Sequence, residues 1–149
     1  KALFVDWFVC NKRLIKTPKI YFYDVGLVCF LLGVKDAQQV ETHPLRGQIF
    51  ENMVVCDKLK NLYNEGRDNN MFFYRDKGQH EIDIIQEEGE DLLAYEIKLA
   101  PAIHPDFYKN LNYFRALFPD QTKSTMVINT GVEENRLPEN GHIHFTSLE

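Results

Sequence analysis

Apolar and polar positions change their period several times along the chain, and each change marks an element. Residues 2–9 are strongly apolar and predict a strand or a docking segment, and residues 11–17 form a polar, basic turn. Residues 18–23 are rich in aromatics and predict a strand. Asp24 then stands where an N-cap is needed for a helix over residues 25–32, ended by Gly33. That helix is apolar nearly all round, so it is expected to be buried. Residues 35–43 read as a loop or a frayed helical turn. From residue 44 to about 64, Ile49, Phe50, Met53, Val54, Leu59, Leu62 and Tyr63 recur at helical spacing and predict a long amphipathic helix. A loop over residues 65–70 leads to a strand over residues 71–74.

Residues 74–100 carry the densest pattern and predict a β-hairpin. Its arms are residues 81–85, which alternate acidic and apolar positions up to Ile84, and residues 92–99. Between them E-E-G-E-D is a polar turn, with Gly89 available for a positive φ. A two-residue loop, Gly89-Glu90, sets Glu88 opposite Asp91 and, counting back along the ladder, Asp83 opposite Glu96. A four-residue loop with the same centre gives the same register. Directly opposed side chains lie ~5 Å apart at Cβ, and like charges there are destabilising. Lys98 points to the same face about 7 Å further along, whereas Ile82, Ile84, Tyr95 and Ile97 point toward a core. Two readings follow. One is a solvent-exposed polar face, which spacing alone favours; the other is a divalent-metal site with a cation beside it.

After the hairpin, Pro101 and Pro105 bracket a short connection. Residues 106–118 predict a helix with Phe107, Leu111, Phe114, Leu117 and Phe118 on its apolar side, residues 125–129 a fully buried strand, and residues 142–146 a final alternating strand. From residue 44 the order is α-β-β-β-α-β-β. There is no internal repeat and no Gly-rich phosphate loop, so nothing in the chain reads as a P-loop or as an organic-cofactor motif.

Composition narrows the class. The 149 residues are 44% hydrophobic and 13% aromatic, which describes one globular domain of ordinary size. The longest apolar run, residues 25–34, falls far short of the ~20 residues a membrane helix needs. Cys10, Cys29 and Cys56 lie far apart and read as reduced thiols of a cytoplasmic protein. The chain starts at Lys1 without a signal-type segment, which reads as a piece cut from something longer. A net charge of −5 is a poor match to a general nucleic-acid binder. The charge is uneven, however. Residues 1–20 hold five basic side chains against one acid, and residues 81–96 hold seven acids with no Lys or Arg. A basic opening segment beside an acidic pocket suits a phosphate backbone drawn toward bound metal, and equally suits two solvated surfaces.

Glu51 on the first long helix, Asp83, and then Glu96-Ile97-Lys98 in this element order resemble the PD-(D/E)XK nuclease superfamily. K-T-P-K-I-Y-F-Y-D-V-G-L, R-G-Q-I-F-E-N, F-Y-R-D-K-G-Q-H-E-I-D-I-I and Y-E-I-K together resemble the C-terminal domain of unknown function of prokaryotic AAA-type ATPases. The resemblance implies an α/β, restriction-endonuclease-like core (α-β-β-β-α-β, a central mixed sheet flanked by helices) over residues 44–149. Residues 1–43 would be a small strand-and-helix extension following the ATPase domain of the same full-length chain. It implies Asp83 and Glu96, with Glu51, as ligands of Mg²⁺ or Mn²⁺, and Lys98 as the group that orients or deprotonates the attacking water. Arg75, His80 and Lys109 are candidate phosphate contacts. Two functions stand against each other: metal-dependent phosphodiester hydrolysis of DNA, and a non-catalytic module that recognises nucleic acid or a protein for the ATPase. Outside this set, His142 and His144 have a spacing zinc uses but lack an evident third ligand, so an exposed edge strand is the expectation.

Overall fold

The computed structural model describes residues 2–5, 18–131 and 141–144, the side chains from residue 18 to residue 131. The turn expected at residues 11–17, Cys10, and the side chains of His142 and His144 lie outside the described residues. The chain divides into two compact units, Lys1–Phe4 with Ile20–Asn69 and Val5–Lys19 with Asn70–Glu149.

The first unit contains β1 (Ala2–Val5) paired with β2 (Lys19–Phe22), of which Val5 and Lys19 belong to the second unit, together with α1 (Val25–Leu31), α2 (Ala37–Thr42) and α3 (Arg46–Asn64). Asp24 caps α1 by accepting from the Leu27 N–H at 3.0 Å, and Gly33 follows the helix at φ +74°, where a side chain would be strained. The expected burial of α1 does not hold. None of its residues is buried, and Phe30 is 76% exposed. A two-turn helix that is apolar on every side needs cover on every side, and within its unit α1 lies against α3. Residues 35–43, expected as a loop or frayed turn, contain the helix α2. Asp36 accepts from the Gln39 N–H at 2.9 Å, and the Gln39 side chain returns the bond to the Lys35 N–H at 2.9 Å. This reciprocal pair satisfies donors that a six-residue helix otherwise leaves free.

Along α3, Ile49, Phe50, Val54, Leu59 and Leu62 are buried as the stripe predicts, whereas Tyr63 is exposed. The same helix buries Asn52 and Cys56, one turn apart. The Asn52 carboxamide accepts from the Phe22 N–H at 2.7 Å and donates to the Phe22 carbonyl at 2.9 Å. The Cys56 thiol donates to that carbonyl at 3.0 Å. A helix side chain thus completes the hydrogen bonding of a strand residue in a two-stranded sheet, where a third strand would otherwise be needed.

The second unit is a five-stranded mixed sheet in the order β3 (Met71–Arg75), β4 (Glu81–Glu88), β5 (Asp91–Lys98), β6 (Thr122–Asn129), β7 (Gly141–His144). The first three strands are antiparallel, and β6 and β7 run parallel to β5. A parallel neighbour requires a crossover. Here it is a 3₁₀ turn at Pro105–Tyr108 leading into α4 (Lys109–Leu117), so the single helix expected over residues 106–118 begins as a tighter turn. Leu111 and Phe114 of α4 pack with Tyr74, Ile85, Leu92, Ala94 and Val127 of the sheet, and the Tyr74 and Phe114 rings meet edge-on at 5.4 Å. Among the described residues no helix is long and apolar enough to cross a membrane.

Replacing Asn52 with Leu removes both of its bonds to Phe22, leaving the backbone amide without that acceptor and the carbonyl with the weaker Cys56 thiol donor. The expected loss is about 2 kcal/mol of folding free energy in chemical denaturation. A change below about 0.5 kcal/mol contradicts the clamp.

Candidate active site

The β4–β5 turn is the two-residue Gly89-Glu90 loop, with Gly89 at φ +66°. The pairing runs from Glu88 opposite Asp91 to Ile84 opposite Tyr95, the register expected from the loop length. One step further the strands bring Asp83 to Glu96. There the regular ladder stops. The Asp83 carboxylate takes over as acceptor, receiving the Ile97 N–H on Oδ2 at 2.9 Å. The strict alternation expected across Ile82 and Ile84 fails at the same point. All four of Ile82, Ile84, Tyr95 and Ile97 are buried, but Ile82 packs with Tyr74 and Ile85 rather than keeping the side of Ile84. The break is local, and the β3–β4 pairing also shifts register between Phe72 and Tyr74.

The acidic face is not a solvated one. Asp83 is 8% exposed and Glu96 5%. Burial, and then the adjacent Asp83 charge, push the Glu96 carboxyl up to about 7 despite a 2.7 Å ion pair from its Oε1 to Lys98 Nζ. Its other oxygen, Oε2, is buried without a hydrogen-bond partner among the described residues. The exposed-face reading that spacing favoured is therefore corrected: like charges stand together out of water, partly compensated by lysine.

A second lysine does part of that compensation. Lys19 Nζ lies 3.1 Å from Asp83 Oδ1 and 2.5 Å from Glu81 Oε1. Glu81 is also held by the Arg75 guanidinium through two bonds of 2.9 and 3.0 Å. Burial pushes Glu81 up, but the bonds from Arg75 and Lys19 outweigh it and hold the carboxyl below the usual range. Both cations lie over the buried Phe73 ring, 5.8 and 6.0 Å from its centroid. In sequence Lys19 is only one of five basic residues in an opening segment. It lies 64 positions from Asp83, and nothing local announces the pairing.

The remaining candidates are distributed as follows. Glu51 is in the first unit, on α3, and accepts from Tyr21 Oη at 2.6 Å. His80 is anchored through Nδ1 at 3.2 Å from Asp76 and stacks on Tyr113 at 3.8 Å between ring centroids. Asp76 also accepts from Tyr113 Oη at 2.9 Å and from the His80 N–H at 3.0 Å. Burial acts upward on Asp76, and these bonds more than reverse it, so its carboxyl stays below the usual range. Lys109 is exposed at the start of α4. The structure thus brings Asp83, Glu96 and Lys98 together within one unit and adds Lys19, Glu81 and Arg75 around them. Among the described residues, no three His, Cys, Asp or Glu side chains form a group able to hold a metal ion by themselves.

Residues 46–149 match the family model of a domain of unknown function, DUF4143. The chain is 32% identical over 93 residues to the uncharacterized protein Mb2031c of Mycobacterium bovis and, with the same identity and length, to the uncharacterized protein Rv2008c of Mycobacterium tuberculosis. Those matches cover 62% of this chain and 20% of each relative, so the chain spans about a fifth of the curated relatives it matches. No solved structure matches it. With its sheet, its crossover helix and the Asp83–Glu96–Lys98 group all inside the matched segment, the chain belongs to the DUF4143 family.

Proposed function

We propose that this domain is a metal-dependent phosphodiesterase acting on DNA, of restriction-endonuclease-like fold, and that it works as the C-terminal part of a cytoplasmic AAA-type ATPase. One observation carries the reading: two buried carboxylates converge with a partly exposed lysine, and one carboxylate oxygen, Glu96 Oε2, has no partner among the described residues. The α-β-β-β-α-β order, with a parallel strand after the crossover, is compatible with the fold. The ATPase context rests on the sequence resemblance.

The donor set fits a hard divalent cation such as Mg²⁺ or Mn²⁺. Such ions prefer carboxylate oxygens and keep several waters, so two acids suffice as anchors. Asp83 and Glu96 would hold the ion. When bound, it would polarise the phosphodiester and lower the pKa of a coordinated water. Glu96 Oε2 has no partner among the described residues, whereas Asp83 Oδ1 is engaged by Lys19, which would have to withdraw for that oxygen to hold the ion. Lys98 Nζ, held by Glu96 Oε1, places a positive charge where negative charge builds on the phosphoryl oxygens. In the net reaction a water oxygen bonds to phosphorus as the phosphorus–oxygen bond to the leaving group breaks. One water proton is released, and the departing oxygen takes one up.

A second reading, a recognition module without catalysis, is favoured by a different observation. Lys19 and Arg75 already neutralise Glu81 and Asp83, which is how a purely structural polar cluster settles its charges. The two readings part on metal. Under the first, Mn²⁺ binds in calorimetry, Asp83→Asn abolishes the binding, and Lys98→Ala removes DNA cleavage while leaving the far-ultraviolet circular dichroism unchanged. A folded protein that binds no Mn²⁺ and cuts no form of DNA contradicts it.

Lys19→Met removes the cation that competes for Asp83, so Mn²⁺ should bind more tightly and the metal-free protein should melt lower. Weaker Mn²⁺ binding would show that Lys19 supports the site rather than competing for it.

Glu96 also gives stability a pH dependence. Its carboxyl is raised in the folded state, from 4.5 to about 7, so folding is favoured while it is protonated. Stability therefore falls as pH rises through the window from about 4.5 to about 7, by up to ~1.4 kcal/mol per unit, and is flat above it. Glu96→Gln should match the wild type at pH 4 and melt higher at pH 8 without metal. An equal offset at both pH values is the contrary result.

A further inference from the structure

Six buried side-chain atoms have no partner among the described residues: Asn70 Oδ1, Glu96 Oε2, Tyr108 Oη, Thr122 Oγ1, Ser124 Oγ and Asn129 Oδ1. Thr122 and Ser124 stand at the start of β6, and Asn129 is its last residue. The parallel register of β5 and β6 sets Lys98 beside Asn129 and Glu96 beside Val127. Residues paired in this way point to the same side of a sheet, and positions two apart on one strand do so as well. Glu96, Lys98 and Asn129 therefore share one face at the carboxyl ends of two adjacent parallel strands, the end of such sheets where ligands commonly bind.

Asn129 is 1% exposed, so in the metal-free protein its oxygen is out of contact with bulk water. The chain is also closely packed around it. A Cβ on Gly131, two residues on, would stand 1.9 Å from the Pro101 carbonyl oxygen and 3.1 Å from Asn129 Nδ2. The loops leaving β5 and β6 thus meet at a position where only glycine fits, and they confine the carboxamide beside them. A buried acceptor without a donor lowers stability, and Leu or Val at this position on a buried strand would avoid that cost. The polar side chain is a feature that packing alone disfavours.

We propose that Asn129 is a positioning residue of the Asp83–Glu96–Lys98 site, and that its Oδ1 accepts one hydrogen of the attacking water while Lys98 Nζ donates to that water's oxygen. This rests on the phosphodiesterase reading. Held by one acceptor and one donor, the water keeps a lone pair directed at phosphorus. Its oxygen bonds to phosphorus as the leaving oxygen's bond to phosphorus breaks, its surplus proton passes to solvent, and the leaving oxygen takes a proton from solvent. Asn129 exchanges no proton and acts only through the water's orientation.

The test compares wild-type full-length protein with Asn129→Leu and Asn129→Ser in three measurements: melting temperature, Mn²⁺ affinity by calorimetry, and steady-state cleavage of double- and single-stranded DNA. Asn129→Leu should melt at or above the wild type and bind Mn²⁺ within about twofold. It should lose about tenfold or more in kcat with KM within about twofold, the pattern of a lost orienting contact. Asn129→Ser, whose hydroxyl still accepts, should recover part of kcat. If the wild type cleaves DNA and the Leu variant stays within twofold of its kcat, the role of Asn129 is overturned and the phosphodiesterase reading stands. If the wild type cleaves nothing, both fall. If the Leu variant does not fold, Asn129→Ala, which also lacks an acceptor, takes its place, and a kcat within twofold of wild type overturns the proposal.

Discussion

The second unit is built around an electrostatic conflict: Asp83 and Glu96 carry like charges, face each other across a hairpin, and are both taken out of water. Such a pair is tolerated only where other groups stabilise the charge. Three do so here. The Ile97 N–H and the Lys19 ammonium divide the two oxygens of Asp83 between them, and Lys98 takes one oxygen of Glu96. The compensation is unequal. Asp83 is served on both sides, while Glu96 keeps one oxygen without a partner among the described residues, and its carboxyl is pushed up to about 7. The conflict is thus concentrated on one carboxylate oxygen.

The hairpin geometry is legible in the residues themselves, because a two-residue loop fixes the register and the register fixes which residues meet. The same reasoning locates Asp24 and Gly33 at the ends of α1, since caps are local signals. Relations that no local pattern encodes are not legible in this way. Lys19 reaches Asp83 from 64 positions away. Asn52 clamps Phe22 from 30 positions away, and in sequence it is one more polar residue on an amphipathic helix. The burial of the acidic face is hidden too, because alternation tells which residues share a face and not what covers it. The misplacement of Ile82 has a narrower cause. A period of two assumes an unbroken ladder, and the ladder ends at Ile84. The exposure of α1 shows the opposite error: uniform apolarity states a need for cover, and the unit covers only part of it.

The two functional readings differ in how they regard Lys19. If the cluster exists for structure, Lys19 and Arg75 complete it, and the unpaired oxygen of Glu96 is a cost without a return. If it exists for chemistry, Lys19 stabilises the metal-free domain by occupying the carboxylate that the cation will need. Burial sharpens the contrast, because charges in a site shielded from water interact more strongly than exposed ones. Lys98 fits both descriptions as a counter-ion. Among the described residues, Glu96 and Asn129 have unpartnered oxygens on the same face as that lysine, a feature that the catalytic reading uses.

The most direct measurement is a crystal structure of the protein grown with Mn²⁺, with anomalous scattering to locate the ion. A metal-dependent site requires a peak bonded to Asp83 and to Glu96 Oε2, with Lys19 withdrawn from Asp83 Oδ1. No peak between these carboxylates, and Lys19 still in place, would contradict it.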